Sequence, residues 1–249
     1  MTFVRTLARL ASLTDLDAAW TWREGGETLD RRDALFRILE AEQDAAARGA
    51  RPDSEPAAIC ALAQEAFGDL AALLGGLDES ALDAVPAPGE WSVRATLAHT
   101  IAVERSYLAN TKHALVRGPD EPLTLPAGRR PAPIPSDTEG DGTRIAERLA
   151  AYRAETDTAL GTLDADALAR PTQWSGHTVD VRFRLHRFAS HLVEHTVQCE
   201  KALDATAPPS EARRIARRIG RARGSHERAS GPAALARLDA GIAEILGRL

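Results

Sequence analysis

His191 and His195 sit four residues apart in the run His191-Leu192-Val193-Glu194-His195. At about 100° per residue, that spacing puts both imidazoles on one helix face, one turn apart. This is how a helix offers two ligands to one metal, as in HExxH zinc sites. Here Glu194 directly precedes the second histidine, so the zincin template does not apply. His186 lies nine residues from His195, roughly half a turn round the helix, and cannot join the same site. A third ligand has to come from another helix. His99 is the candidate, on the apolar stripe formed with Val93, Leu97, Ile101 and Leu108. Taken singly, each of these histidines reads as an ordinary hydrogen-bonded helix residue. The pair on one face, joined by a third on an inward face, points to a metal.

The rest of the chain must supply helices to hold them. Only 4% of the 249 residues are aromatic, and Ala, Leu, Arg and Glu, the strong helix formers, are abundant. An all-β fold is excluded on that basis. Helical blocks are expected to about Ala50 in two pieces split at Glu24-Gly25-Gly26-Glu27, then at Ala57–Leu77, from Ser92 to about Val116, at about 143–163 and at about 179–206. Two shorter helices should follow, at 210–223 and 232–248. The stretch from Gly118 to Gly142 holds six prolines and reads as a crossover that shapes a substrate pocket. Residues 170–177 read as a further loop. The expectation is all-α: a four-helix bundle over 53–207 with a long crossover loop, a helical extension at 1–52 and another, with a basic helix, at 208–249.

Trp91-Ser92, then His99 and Glu104, then a crossover and a late helix reading His191-xxx-His195-xx-Gln198 together resemble the DinB/YfiT-like superfamily over roughly Ala57 to Ala207. The resemblance implies a four-helix bundle with a divalent ion, zinc or nickel and in one relative iron, held by three histidines. By it, His99, His191 and His195 are the metal ligands, and an open position takes water or substrate. Gln198 matches a frequent Gln of the family. Glu194 departs from it, standing where many members have another histidine, and is the residue here for acid/base work. Some relatives activate a low-molecular-weight thiol, such as mycothiol or bacillithiol, for transfer or isomerisation, and others are classed as hydrolases. The resemblance thus implies a metal-dependent thiol transferase, or a related isomerase or hydrolase, acting on a small molecule. Dimers are common among the look-alikes, so a homodimer is compatible with it.

Other features bound this reading. Two cysteines, Cys60 and Cys199, are too few for a disulfide framework and favour a reduced, cytoplasmic setting. No run of about 18 uncharged apolar residues exists, and Asp15 and Asp17 interrupt the N-terminal segment, so neither a membrane span nor a signal peptide is expected. The net charge of -5 conceals a split: Glu211 to Arg228 carries seven arginines against two glutamates, or +5, leaving -10 for the remainder. A face bearing Arg213, Arg217 and Arg221 can bind phosphate or nucleic acid. Without interleaved aromatics, it reads instead as a helix salt-bridged to an acidic bundle. The competing functional class is a non-catalytic metal- or ligand-binding bundle acting through this basic helix. It should show a filled bundle end and unpaired arginines, where an enzyme should show a concave pocket at the histidines. Cys199 reads as an apolar filler, Glu104 as at most an orienter of a ligand, and Trp91 as a seal on the bundle end. His177 reads as solvent-facing, and Trp20 and Trp22 as an anchor for the N-terminal extension.

Overall fold

The computed structural model describes residues 2–16, 22–24 and 27–249. In chain order its helices and strands are α1 (Phe3–Ala11), β1 (Trp22–Glu24), β2 (Glu27–Leu29), α2 (Arg31–Arg48), α3 (Glu55–Leu74), α4 (Glu79–Asp83), α5 (Val93–Val116), α6 (Gly142–Leu160), α7 (Ala165–Leu168), β3 (Pro171–Trp174), β4 (His177–Asp180), α8 (Val181–Thr206), α9 (Glu211–His226) and α10 (Pro232–Gly247). Side-chain oxygens set most of the helix starts. Ser54 accepts from the Ala57 amide, Ser92 from Ala95, Asp141 from Arg144 and Asp180 from Phe183. Each satisfies one of the amides that a helix start leaves without an intrahelical partner.

Four helices, α3, α5, α6 and α8, form the bundle. Its order round the axis is not the chain order. α3 and α5 each pack between α6 and α8, so that α3 and α5 lie on the diagonal. End contacts fix the directions. Arg94 at the start of α5 donates to the carbonyls of Thr138 and Gly140, just before α6. Arg182 at the start of α8 pairs with Glu55 at the start of α3. α5 and α6 are therefore parallel neighbours, as are α3 and α8, and the chain between α5 and α6 must retrace α5. A 24-residue helix is about 36 Å long, which is why so long a crossover exists. It is tied down as it goes: His113 Nε2 lies 2.9 Å from the Pro122 carbonyl, the Leu125 amide donates to Asn110, and Arg105 donates to the Ala132 carbonyl.

The apolar core is continuous from the bundle into the elements that flank it. Leu7 and Leu10 of α1, Leu35 and Ile38 of α2, and Ile215 and Ile219 of α9 are buried in one cluster with Leu70 and Leu74 of α3. α9 reaches α3 through glycine. A Cβ at Gly220 would stand 2.2 Å from the Gly68 carbonyl oxygen, and one at Gly68 would stand 2.1 Å from that of Gly220, so no larger residue fits at either position without separating the helices. α3 is long and apolar enough to cross a membrane by length and composition, although Glu65 and Asp69 interrupt it, and 72% of its most apolar window is buried. The partners that cover it are the other helices of this fold.

Two short hairpins were not read from sequence. β1 pairs antiparallel with β2, and β3 with β4. The second replaces the expected loop at 170–177. Ser175 (φ 47°) and Gly176 (φ 83°) both take the left-handed conformation that a two-residue hairpin turn with the native strand twist requires. Trp20 and the side-chain surroundings of Trp22, and with them the expected anchor, lie outside the described residues.

Candidate metal centre

α5 and α8 run antiparallel, and their facing stripes bring the three histidines together. His191 Nε2 lies 3.3 Å from His99 Nε2 and 2.9 Å from His195 Nε2. Among the described residues this is the group whose ligand atoms all fall within 4.8 Å of one another. His191 and His195 are buried and His99 is half-buried. The ring of Trp91, itself half-exposed, stands 5.4 Å from that of His99 and covers it from outside. Tyr107, two turns along α5, sets its ring 5.6 Å from that of His191.

The donor set fits a divalent transition ion. Nδ1 of His195 lies 2.9 Å from Gln198 Oε1. With the amide accepting, the proton sits on Nδ1 and the Nε2 lone pair is left for the cluster. Tetrahedral coordination at about 2.05 Å separates two nitrogen ligands by about 3.3 Å, close to the two spacings from His191, with all three atoms within 4.8 Å of one another. Burial and the two neighbouring imidazoles push His191 down to about 3, and burial, then His195, also lowers His99. Both are therefore neutral at physiological pH, the form that binds metal.

That depression has a consequence for the metal-free protein. Between the ordinary histidine value near 6.5 and about 3, the unfolded chain takes up a proton at His191 that the native state refuses. The associated stability is complete above that window and is lost as pH falls through it. The melting temperature of chelator-treated protein should drop from pH 7 to pH 4, and His191→Gln should drop less. Parallel melting curves for the two proteins would refute this.

The cluster forms part of the lining of a cavity of about 450 Å³. Besides α8, its walls come from three places: α5 with Ser106, Tyr107 and Asn110, the hairpin tip with Gln173 to Ser175, and Arg130 of the crossover. α8 adds Arg184, Arg187 and Glu194. Glu194 is exposed at the lip, 3.5 Å from Arg187. Gln198 is not part of the lining and meets the cluster through His195. Cys199 is fully buried in the apolar core with its thiol pushed up to about 12, and it does not join the cluster. Glu104 does not orient His99. Its Oε1 accepts from Arg153 (2.8 Å) and Thr156 (2.7 Å) deep in the bundle, because position 104 faces α6 rather than α8. His177 is exposed.

A family model of the DinB superfamily matches residues 62–199. The chain belongs to that superfamily. The matched region includes His99, His191, His195 and Gln198. A solved structure of YfiT from Bacillus subtilis, described as "a probable metal-dependent hydrolase with an unusual four-helix bundle topology", is similar at 13% identity with a TM-score of 0.46, covering 75% of this chain and 94% of that one. A search of curated proteins finds no match.

Sequence reading missed Arg184, Arg187 and Tyr107. The signal was present in the spacing. Arg184 and Arg187 precede His191 by seven and four residues, and Tyr107 follows His99 by eight, each on the same helix face as its histidine.

Gln198 lends itself to a direct check. Hydrogen-bonded partners of ligand histidines typically contribute 10–100-fold in metal affinity. Gln198→Leu should weaken zinc binding by about that factor, measured by competition with a chromophoric chelator. An unchanged affinity would show that the contact to His195 Nδ1 does not orient the ligand.

Proposed function

We propose that this protein is a metal-dependent enzyme in which His99, His191 and His195 hold a divalent transition ion, zinc or nickel before iron, and that its reaction transfers a low-molecular-weight thiol to a small electrophilic substrate. The observation that supports this reading best is the convergence of three Nε2 atoms in the lining of an open cavity. Three protein ligands rather than four leave a coordination position for a reactant. Bound there, the ion would supply Lewis acidity, lowering the pKa of a thiol or water and polarising a carbonyl.

The chain's own residues do the remainder. Gln198 fixes the tautomer of His195. In this reading Glu194, at the lip of the cavity, would accept the proton that a thiol releases. Trp174 donates through Nε1 to the Tyr107 hydroxyl, 3.2 Å away, and closes the hairpin over the cavity wall. Hydrolysis is the second reading, supported by the same open position with water in place of the thiol.

The non-catalytic alternative finds less support, because four of the six arginines of α9 are engaged within the chain, leaving Arg214 and Arg218 exposed. Arg217 pairs with Asp69 and Glu200, Arg221 with Glu65, and Arg223 with Glu42 and Asp239. Arg213 donates to the carbonyls of Leu73 and Gly75 at the end of α3.

Elemental analysis of the purified protein, followed by a screen of thiols against electrophiles, tests the proposal. Loss of thiol and electrophile in equal amounts supports transfer, whereas loss of electrophile in water alone supports hydrolysis. Protein without metal, or an H191A/H195A variant of full activity, would sink both.

A further inference from the structure

We infer that the substrate carries a carboxylate, held in the histidine cavity by Arg184 and Arg187; the inference rests on that cavity being the substrate site of the proposed enzyme. Arg184 is 4% exposed, and no carboxylate pairs with it among the described residues. It donates to the Gln173 carbonyl at the hairpin and stacks its guanidinium 5.0 Å from the centre of the Tyr107 ring. Its Nε is buried without a hydrogen-bond partner, as is that of Arg187. Arg117, 9% exposed, likewise meets only carbonyls, those of Gly118 and Pro171, but it does not line the cavity. The two other arginines below 5% exposure are paired with carboxylates. Arg153 meets Glu104 and Asp157, and Arg223 meets Glu42 and Asp239.

A buried charge normally carries its counter-ion with it, since isolation in an apolar setting is costly. Burial lowers the Arg184 pKa, against an opposing contribution from Tyr107, in keeping with a guanidinium held out of water without a carboxylate partner. Arg187 is stacked 4.9 Å from the centre of the Trp174 ring, donates to the Ser190 hydroxyl at 3.0 Å and meets a carboxylate only at the exposed Glu194, 3.5 Å away. With Arg130, the cavity presents three guanidinium groups against one carboxylate. A planar fork held by an aromatic face suits a carboxylate. The placement along α8 adds direction: Arg184 and Arg187 lie one to two turns before His191, so a substrate anchored there extends toward the histidines.

Calorimetric titration of the metal-free, full-length protein tests this, with succinate, its neutral diamide and inorganic phosphate as probes. Succinate should bind and the diamide should not. Arg184→Met should weaken succinate binding by about tenfold or more, and Arg187→Met by less, while zinc affinity stays within about twofold in both. Arg184→Met should melt no lower than wild type, because it removes a charge that lacks an ionic partner. Arg184→Lys, which keeps the charge but loses the fork, should bind at an intermediate strength, and it serves if the methionine variant fails to fold. Equal succinate binding by wild type and both Arg184 variants, or equal binding of the diamide, overturns the inference. Tighter binding of phosphate than of succinate overturns the carboxylate assignment. If wild type binds no zinc while succinate binding still follows Arg184, the metal reading fails and this one stands. If zinc binds and succinate binding does not depend on Arg184, the carboxylate site fails and the metal centre stands.

Discussion

His191→Ala should lower zinc affinity by several hundredfold while leaving the helical circular dichroism of the protein intact. Structural zinc sites with four ligands release about 10–16 kcal/mol on binding, or roughly 2.5–4 kcal/mol per ligand. At 1.4 kcal/mol per factor of ten, that corresponds to a loss of two to three orders of magnitude. His191 is the right position for the test because its Nε2 contacts both other ligands. His186→Ala on the same helix is the control. That residue is exposed and lies outside the cluster, so its affinity should match wild type. Equal zinc binding by the His191 variant and wild type would remove the metal centre.

The second large effect concerns stability. Arg153 and Glu104 are 1% and 3% exposed, and Arg153 also reaches Asp157. Arg153→Met leaves Glu104 in the bundle interior with only Thr156 to bond it. Breaking a buried pair from one side costs about 3–5 kcal/mol. For a protein of this size that is a fall of roughly 10 °C in melting temperature. The double change Arg153→Met with Glu104→Leu should recover most of the loss, since two apolar groups fill the space without stranding a charge. Burial already pushes the Glu104 carboxyl upward. Without Arg153 it goes higher, so the gap between variant and wild type should narrow as pH falls and Glu104 protonates. A melting temperature unchanged by the single substitution would mean that water, rather than Arg153, stabilises the carboxylate.

These two sites differ in how visible they are in the sequence. The histidines declare themselves through local spacing, His191 and His195 by a four-residue step and His99 by its phase with Leu97 and Ile101. The helix starts are similarly local, as at Ser54 and Ser92. Glu104 and Arg153 are 49 residues apart, and nothing near either one names the other. Position 104 is about 140° from His99 on its helix, and that angle alone could not decide between α6 and α8 as the neighbour. The diagonal placement of α3 and α5 was hidden for the same reason. A period shows which face is apolar, not which helix covers it. The hairpin at 171–180 was legible in principle, since Ser175-Gly176 is a two-residue turn signal flanked by Gln-Trp and His-Thr-Val. In a chain otherwise so helical, that local signal was outweighed by composition.

The distance in sequence between the ligands also bears on how the protein folds. His191 and His195 share one turn of α8, but His99 is 92 residues away, across the crossover, α6 and the hairpin. A disordered chain can offer an ion the adjacent pair, and the third nitrogen arrives only when α5 has docked on α8. The ion therefore favours the native state over the unfolded one. It would act there as a removable clasp across a 92-residue loop, much as a cross-link does. A chelator should then speed the unfolding of α5 from α8 before it affects the interface between α3 and α9, which the glycine pair holds without help from the metal.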